Sequence, residues 1–110
     1  MTCIQIIKKQ RASIFQGTPL ISHLNYLGVR SLIVCGESTS GCVRASVLDA
    51  QRYRYRVGIV GECCVDRTQA SHWMNLFDMH QKYGEVIDVR TAVDYFATAR
   101  RNAASQGFQR

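Results

Sequence analysis

Proline occurs once in this 110-residue chain, and no apolar run approaches the length of a membrane-spanning helix. The first scarcity argues for an ordered domain rather than a proline-rich linker or a disordered tail. The second argues against a helical membrane protein, and the N-terminus carries no signal-peptide pattern. Also missing are GxGxxG, the Walker phosphate loop and HExxH, so no nucleotide or zinc-protease signature is present. His23, His72 and His80 lack metal-ligand spacing, and no metal or other cofactor is expected. The five cysteines are odd in number. They do not space like a disulfide framework, and the adjacent Cys63 and Cys64 fit neither a CxxC redox motif nor a zinc ribbon. A reducing, cytoplasmic setting is the expectation.

Acidic residues are also scarce: eight against fourteen lysines and arginines, a net charge of +6. Arg52, Arg54 and Arg56 alternate with Tyr53 and Tyr55. Such interleaving can neutralise and stack on nucleic acid. It equally describes a helix end running into a strand, with tyrosines covering the core edge and arginines solvated. The second reading is preferred, so nucleic acid is not the expected partner. A positive field suits a small acidic substrate.

What is present is an alternation of strand and helix patterns. Strands are expected over Cys3–Lys8, over Ser31–Cys35 as a buried strand, over Arg56–Val60 and over Glu85–Asp88. A helix is expected to start at Pro19, after Thr18 as its N-cap, and to end at Gly28. Further helices are expected over Val43–Tyr53, about Gln69–Tyr83 before Gly84, and Arg90–Arg100. Gly61–Arg67 is expected to be a loop. Trp73, Leu76, Phe77 and His80 are expected to form the packing face of their helix. The alternation implies an α/β fold: a three-layer parallel sheet of about four strands, with helices on both faces. Ligands of such sheets bind beyond the carboxyl ends of the strands. Lys9, Cys42 and Arg67 all follow predicted strands, and so converge on one rim.

Cys42 lies where an apolar strand turns through Gly36 and Gly41 into a helix. Unpaired N–H groups and the positive dipole end of a helix favour thiolate over thiol, which is what a nucleophilic cysteine requires. A buried, inert cysteine is the plainer alternative for any one such residue.

The string Thr39-Ser40-Gly41-Cys42-Val43-Arg44-Ala45-Ser46, with Asp49-Ala50 in the helix behind it, closely resembles the active-site turn of the isochorismatase-like cysteine hydrolases. Within them it resembles the N-carbamoylsarcosine amidohydrolase branch. Lys9-Gln10-Arg11-Ala12-Ser13-Ile14-Phe15-Gln16-Gly17-Thr18-Pro19-Leu20 is similar to a second family pattern, Lys-x-x-x-Ser-x-Phe-x-Gly-Thr-x-Leu. The resemblance implies that Cys42 and Lys9 are catalytic. It implies a cis peptide at Glu37–Ser38 that directs the Ser38 and Cys42 N–H groups to one oxyanion, and substrate contacts from Arg67 and Thr39. A planar guanidinium suits a carboxylate. The implied activity is hydrolysis of a linear amide or ureido C–N bond in a small carboxylate-bearing molecule, within a homo-oligomer; tetramers are usual in the family.

The resemblance covers nearly all of the chain but only about the C-terminal half of a family domain. Residues 1–101 are expected to be that portion, and 102–110 a frayed polar tail. Family enzymes use an aspartate from an earlier strand as general base. Asp49, Asp66, Asp78, Asp88 and Asp94 all follow Cys42, and none matches that position. Impaired catalysis is therefore expected, because such residues act as a unit. The alternative is a non-catalytic remnant or a complementing subunit.

Overall fold

The computed structural model describes residues 4–105, with side chains through residue 102. The elements are α1 (Leu20–Leu27), β1 (Ser31–Glu37), a π-helical turn (Thr39–Val43), α2 (Arg44–Arg52), β2 (Arg56–Val65), α3 (Gln69–Lys82), β3 (Glu85–Ile87) and α4 (Val89–Ser105). The strands form one parallel sheet in the order β1-β2-β3.

Side-chain alternation along β2 serves two layers. Val57 and Ile59 enter a core with Val43, Val47 and Ala50 from the cysteine turn and α2, and with Leu76 and Met79 of α3. Val60 is buried outside that cluster, as is Ala92 of α4, which packs against β2. Helices therefore lie on both faces of the sheet.

Three strands form where about four were expected. Cys3 lies outside the described residues, and residues 4–9 have no regular structure. Ile4 and Ile6 are 82% and 93% exposed. A strand persists only where another strand takes its backbone hydrogen bonds, and among the described residues the sheet is made of β1, β2 and β3. The buried character expected of β1 is also not found. Among the described residues it is an edge strand paired on one side, its residues are half-buried or exposed, and Cys35 is exposed.

The loop expected over Gly61–Arg67 is mostly strand. Val34 pairs with Ile59 and Gly36 with Cys64, so residues 60–63 of β2 face Cys35 alone before pairing resumes. Gly36, at φ 135°, takes up the irregularity in a conformation that favours glycine. The resumed pairing, Glu37 with Val65, brings the end of β2 beside the cysteine turn.

Helix ends follow the local chemistry. Gly28, at φ 71°, closes α1. Pro19, not Thr18, holds the cap position, while Thr18 Oγ1 accepts from Leu20 N at 3.3 Å. Thr68 caps α3, accepting from Ser71 N at 3.2 Å. Asp88 caps α4, accepting from Thr91 N at 2.8 Å, and the Thr91 hydroxyl, then this N–H, hold its carboxyl below the usual range. The packing face of α3 is Leu76 and Met79, whereas Trp73 and Phe77 are exposed. His80 Nδ1 accepts from Val86 N at 3.0 Å, joining α3 to β3. α4 continues four residues beyond Arg101, into the expected tail, and 106–110 lie outside the described residues.

Candidate active site

The loop before α1 is pinned to α2. Phe15 is buried, with its ring 5.5 Å from Tyr53 and 6.5 Å from Tyr55. Gln16 Nε2 donates to Asp49 Oδ2 at 3.3 Å. Asp49 is itself buried, and its carboxyl is held below the ordinary range, first by the Ser13 hydroxyl and then by Gln16 and Arg52, against the opposing effect of burial. At the exposed end of this loop, Lys9 Nζ donates to Arg11 O at 3.1 Å and Ala12 O at 3.2 Å, and reaches Cys42 Sγ at 3.5 Å.

Cys42 is half-buried and lies in the π-helical turn ahead of α2, not in the first turn of a regular α-helix. The Glu37–Ser38 peptide is cis, at the position the resemblance implies. Ser38 is extended, and its carbonyl accepts from Gly41 N at 3.0 Å and Val43 N at 3.1 Å. The second of these bonds spans five residues and widens the turn.

Two side chains from beyond β2 hold the turn. Asp66 Oδ2 accepts from Ser40 N at 2.8 Å while its other oxygen accepts from Arg67 N at 2.7 Å. The Ser40 hydroxyl, then the N–H groups of Arg67 and Ser40, keep the Asp66 carboxyl below its usual range. Thr39 Oγ1 and His72 Nδ1 share a hydrogen bond at 2.8 Å. A cavity of about 370 Å³ adjoins the cysteine, lined by Lys9, Ile14, Phe15 and Leu20 on one side and by β1 from Leu32 to Glu37 on the other.

Lys9, Cys42, Glu37 and Ser38 therefore meet at one rim of the sheet. Arg67 follows the end of β2 on the same rim, with its side chain exposed. Thr39, expected to contact substrate, is fully buried and bonded to His72. It shapes the turn instead of facing the cavity. His72, half-buried on α3 and noted in the sequence only for its lack of metal-ligand spacing, supplies this contact, which no sequence pattern marks. The Arg52–Arg56 segment is an ordinary helix end: Tyr55 is buried and its hydroxyl donates to Asn25 Oδ1 at 3.1 Å, which leaves it no free face for stacking. No helix among the described residues is long and apolar enough to cross a membrane.

An isochorismatase domain model matches residues 3–91. The chain is 42% identical over 88 residues to a maleamate amidohydrolase of Pseudomonas putida, covering 80% of this chain and 41% of that protein. It is 38% identical over 90 residues to an N-carbamoylsarcosine amidase of Arthrobacter, covering 82% of this chain and 34% of the relative. Among solved structures, an isochorismatase-like hydrolase from Alkaliphilus metalliredigens superposes with a TM-score of 0.77 at 26% identity, over 82% of this chain and 49% of that one. The chain thus spans less than half the length of each of these proteins.

Proposed function

The chain belongs to the isochorismatase family, and we propose that it carries the nucleophile and activating lysine of a cysteine-dependent amidohydrolase for small carboxylate-bearing amides or ureido compounds. The observation that carries the reading is the 3.5 Å approach of Lys9 Nζ to Cys42 Sγ at the mouth of a cavity. An ammonium at that distance favours a sulfur anion and steadies negative charge developing beside it.

In this reading, the Cys42 thiolate attacks the substrate carbonyl carbon and forms a C–S bond. The carbonyl π electrons move to oxygen, where the Ser38 and Cys42 N–H groups receive the charge. Collapse of that adduct breaks the C–N bond, and nitrogen leaves as ammonia or an amine, taking up the proton that the thiol gave. Water then cleaves the thioester, releasing the carboxylic or carbamic acid and restoring the thiol. Arg67, exposed beyond β2, is the guanidinium proposed to hold the substrate carboxylate. The cytoplasm is the proposed compartment, which suits the free thiols of Cys35, Cys42, Cys63 and Cys64.

The proton needs a carrier between thiol and leaving group. Asp66 spends its oxygens on Ser40 and Arg67, and Asp49 pairs with Gln16 and Arg52. That observation, with the chain spanning 41% of its maleamate amidohydrolase relative, favours a second reading in which this polypeptide is inactive alone and works as one part of a complemented hydrolase.

Ammonia release from maleamate and N-carbamoylsarcosine, measured for wild type, Cys42→Ala and Lys9→Gln, tests both readings. Release by wild type, abolished in Cys42→Ala and cut about tenfold or more in Lys9→Gln, is the expected result for an active hydrolase. No release, together with a Cys42 that alkylates no faster than Cys35 or Cys63, overturns the nucleophile assignment. No release from a chain whose Cys42 is fast supports the complementing reading.

A further inference from the structure

We infer that His72 is a positioning residue for Cys42 and acts through the buried hydroxyl of Thr39; the inference rests on the reading of Cys42 as nucleophile. Thr39 opens the cysteine turn and stands three residues before Cys42. It is fully buried, and it is the one polar residue among the largest fully buried side chains, beside Ile59, Met79 and Val47. A hydroxyl in that setting has to find a partner or bear the cost of its desolvation. Its partner is His72 Nδ1, 2.8 Å away and 33 residues along the chain.

His72 sits where its backbone and its ring are both engaged. His72 N donates to Thr68 O at 3.1 Å, in the capped first turn of α3. The neighbouring Trp73 ring meets the imidazole edge-on, with centroids 4.9 Å apart. Next in the turn, Ser40 N is taken by Asp66 from the segment that leads into α3. Thr39 and Ser40 are thus anchored to the β2–α3 side of the molecule, whereas Lys9 is carried by a loop fixed to α2 through Ile14 and Gln16. The separation of Nζ and Sγ depends on both attachments, and the Thr39–His72 bond belongs to the one that holds the start of the turn carrying the sulfur. The hydrogen bonds that describe the site join Lys9 to Cys42 and Thr39 to His72, with no bond from His72 to either Lys9 or Cys42.

The test is residue-resolved alkylation of the full chain with iodoacetamide, read by mass spectrometry. Exposed Cys35 and Cys63 give the reference rate, and buried Cys64 reports whether the fold stays closed. The variants are His72→Leu, His72→Asn, Thr39→Val, Thr39→Ser and the His72→Leu/Thr39→Val double. Loss of the bond in His72→Leu or Thr39→Val is expected to slow Cys42 about threefold to tenfold relative to Cys35. His72→Asn and Thr39→Ser, which restore a polar atom, are expected to recover to within about twofold of wild type. The double variant is expected to be no slower than Thr39→Val alone, because the two residues act through one bond.

An unchanged Cys42 to Cys35 ratio in His72→Leu with Cys64 protected overturns the inference, as does additive slowing in the double variant. If His72→Leu or Thr39→Val exposes Cys64, the conservative pair decides. Recovered Cys42 labelling with Cys64 protected then supports the inference, and slow labelling in both overturns it. A wild-type Cys42 no faster than Cys35 fails the nucleophile reading instead, a result visible before any variant is made.

Discussion

The backbone N–H of Ile14 donates to Ser46 Oγ at 3.0 Å, joining the loop that bears Lys9 to the helix that follows Cys42. Ser46 is buried, so water does not replace the bond readily. Ser46→Ala should therefore cost about 1–2 kcal/mol of folding stability. It should also slow Cys42 alkylation, because the lysine loop loses one of its ties. Urea unfolding measures the first effect and thiol labelling the second, and an unchanged labelling rate would uncouple this bond from the site.

Asp49 gives a pH dependence whose sign is fixed. Its folded carboxyl is held below the ordinary 3.8, chiefly by the Ser13 hydroxyl. The stability it contributes is complete above the unfolded value and is lost as pH falls through the lower folded one. Asp49→Asn should thus be less stable than wild type near pH 7, and the gap should narrow as the pH falls toward about 3. Unfolding midpoints at several pH values check this, and a gap that widens in acid would contradict it.

Gly84 sits where α3 gives way to β3. A Cβ there would lie 2.8 Å from Val57 O and 3.3 Å from Val57 Cβ. Since a strand backbone cannot step aside as a side chain can, Gly84→Ala should destabilise by about 1–3 kcal/mol. A thermal melt gives the answer, with an unchanged Tm as the contrary outcome.

Apolar side chains remain uncovered on two helices: Trp73 and Phe77 of α3 at 63% and 60% exposed, and Val93 and Phe96 of α4 at 57% and 56%. Patches of this kind on a small domain mark contact surfaces. Self-association is the expected behaviour. Phe77→Glu and Val93→Glu should each shift sedimentation toward the monomer while leaving Tm nearly unchanged. A monomeric wild type at high concentration would contradict the expectation.

The approach of Lys9 to Cys42 was legible because both residues lie in short motifs that match one family pattern, and Cys42 follows a strand end, where parallel sheets gather their ligands. The parallel α/β layout followed from the same alternation. Other features depend on contacts that no local pattern encodes. Trp73 and Phe77 are spaced helically, as are Leu76 and Met79, so periodicity alone cannot choose which pair faces the sheet. The return of β2 to pairing at Cys64 depends on an irregularity opposite Cys35. Residues 4–8 have a strand's composition but lie outside the sheet that β1, β2 and β3 form among the described residues, and pairing is what makes a strand. His72 was passed over because its partner lies 33 residues away, in the turn whose shape it holds.

Among the described residues β1 forms one margin of the sheet, and the cavity beside it ends at the Cys42 sulfur. Whatever closes that seam also walls the cavity. A chain whose seam is open should therefore be sticky and leave the thiol bathed in water, and one whose seam is closed should gain solubility and a sheltered thiol in the same step.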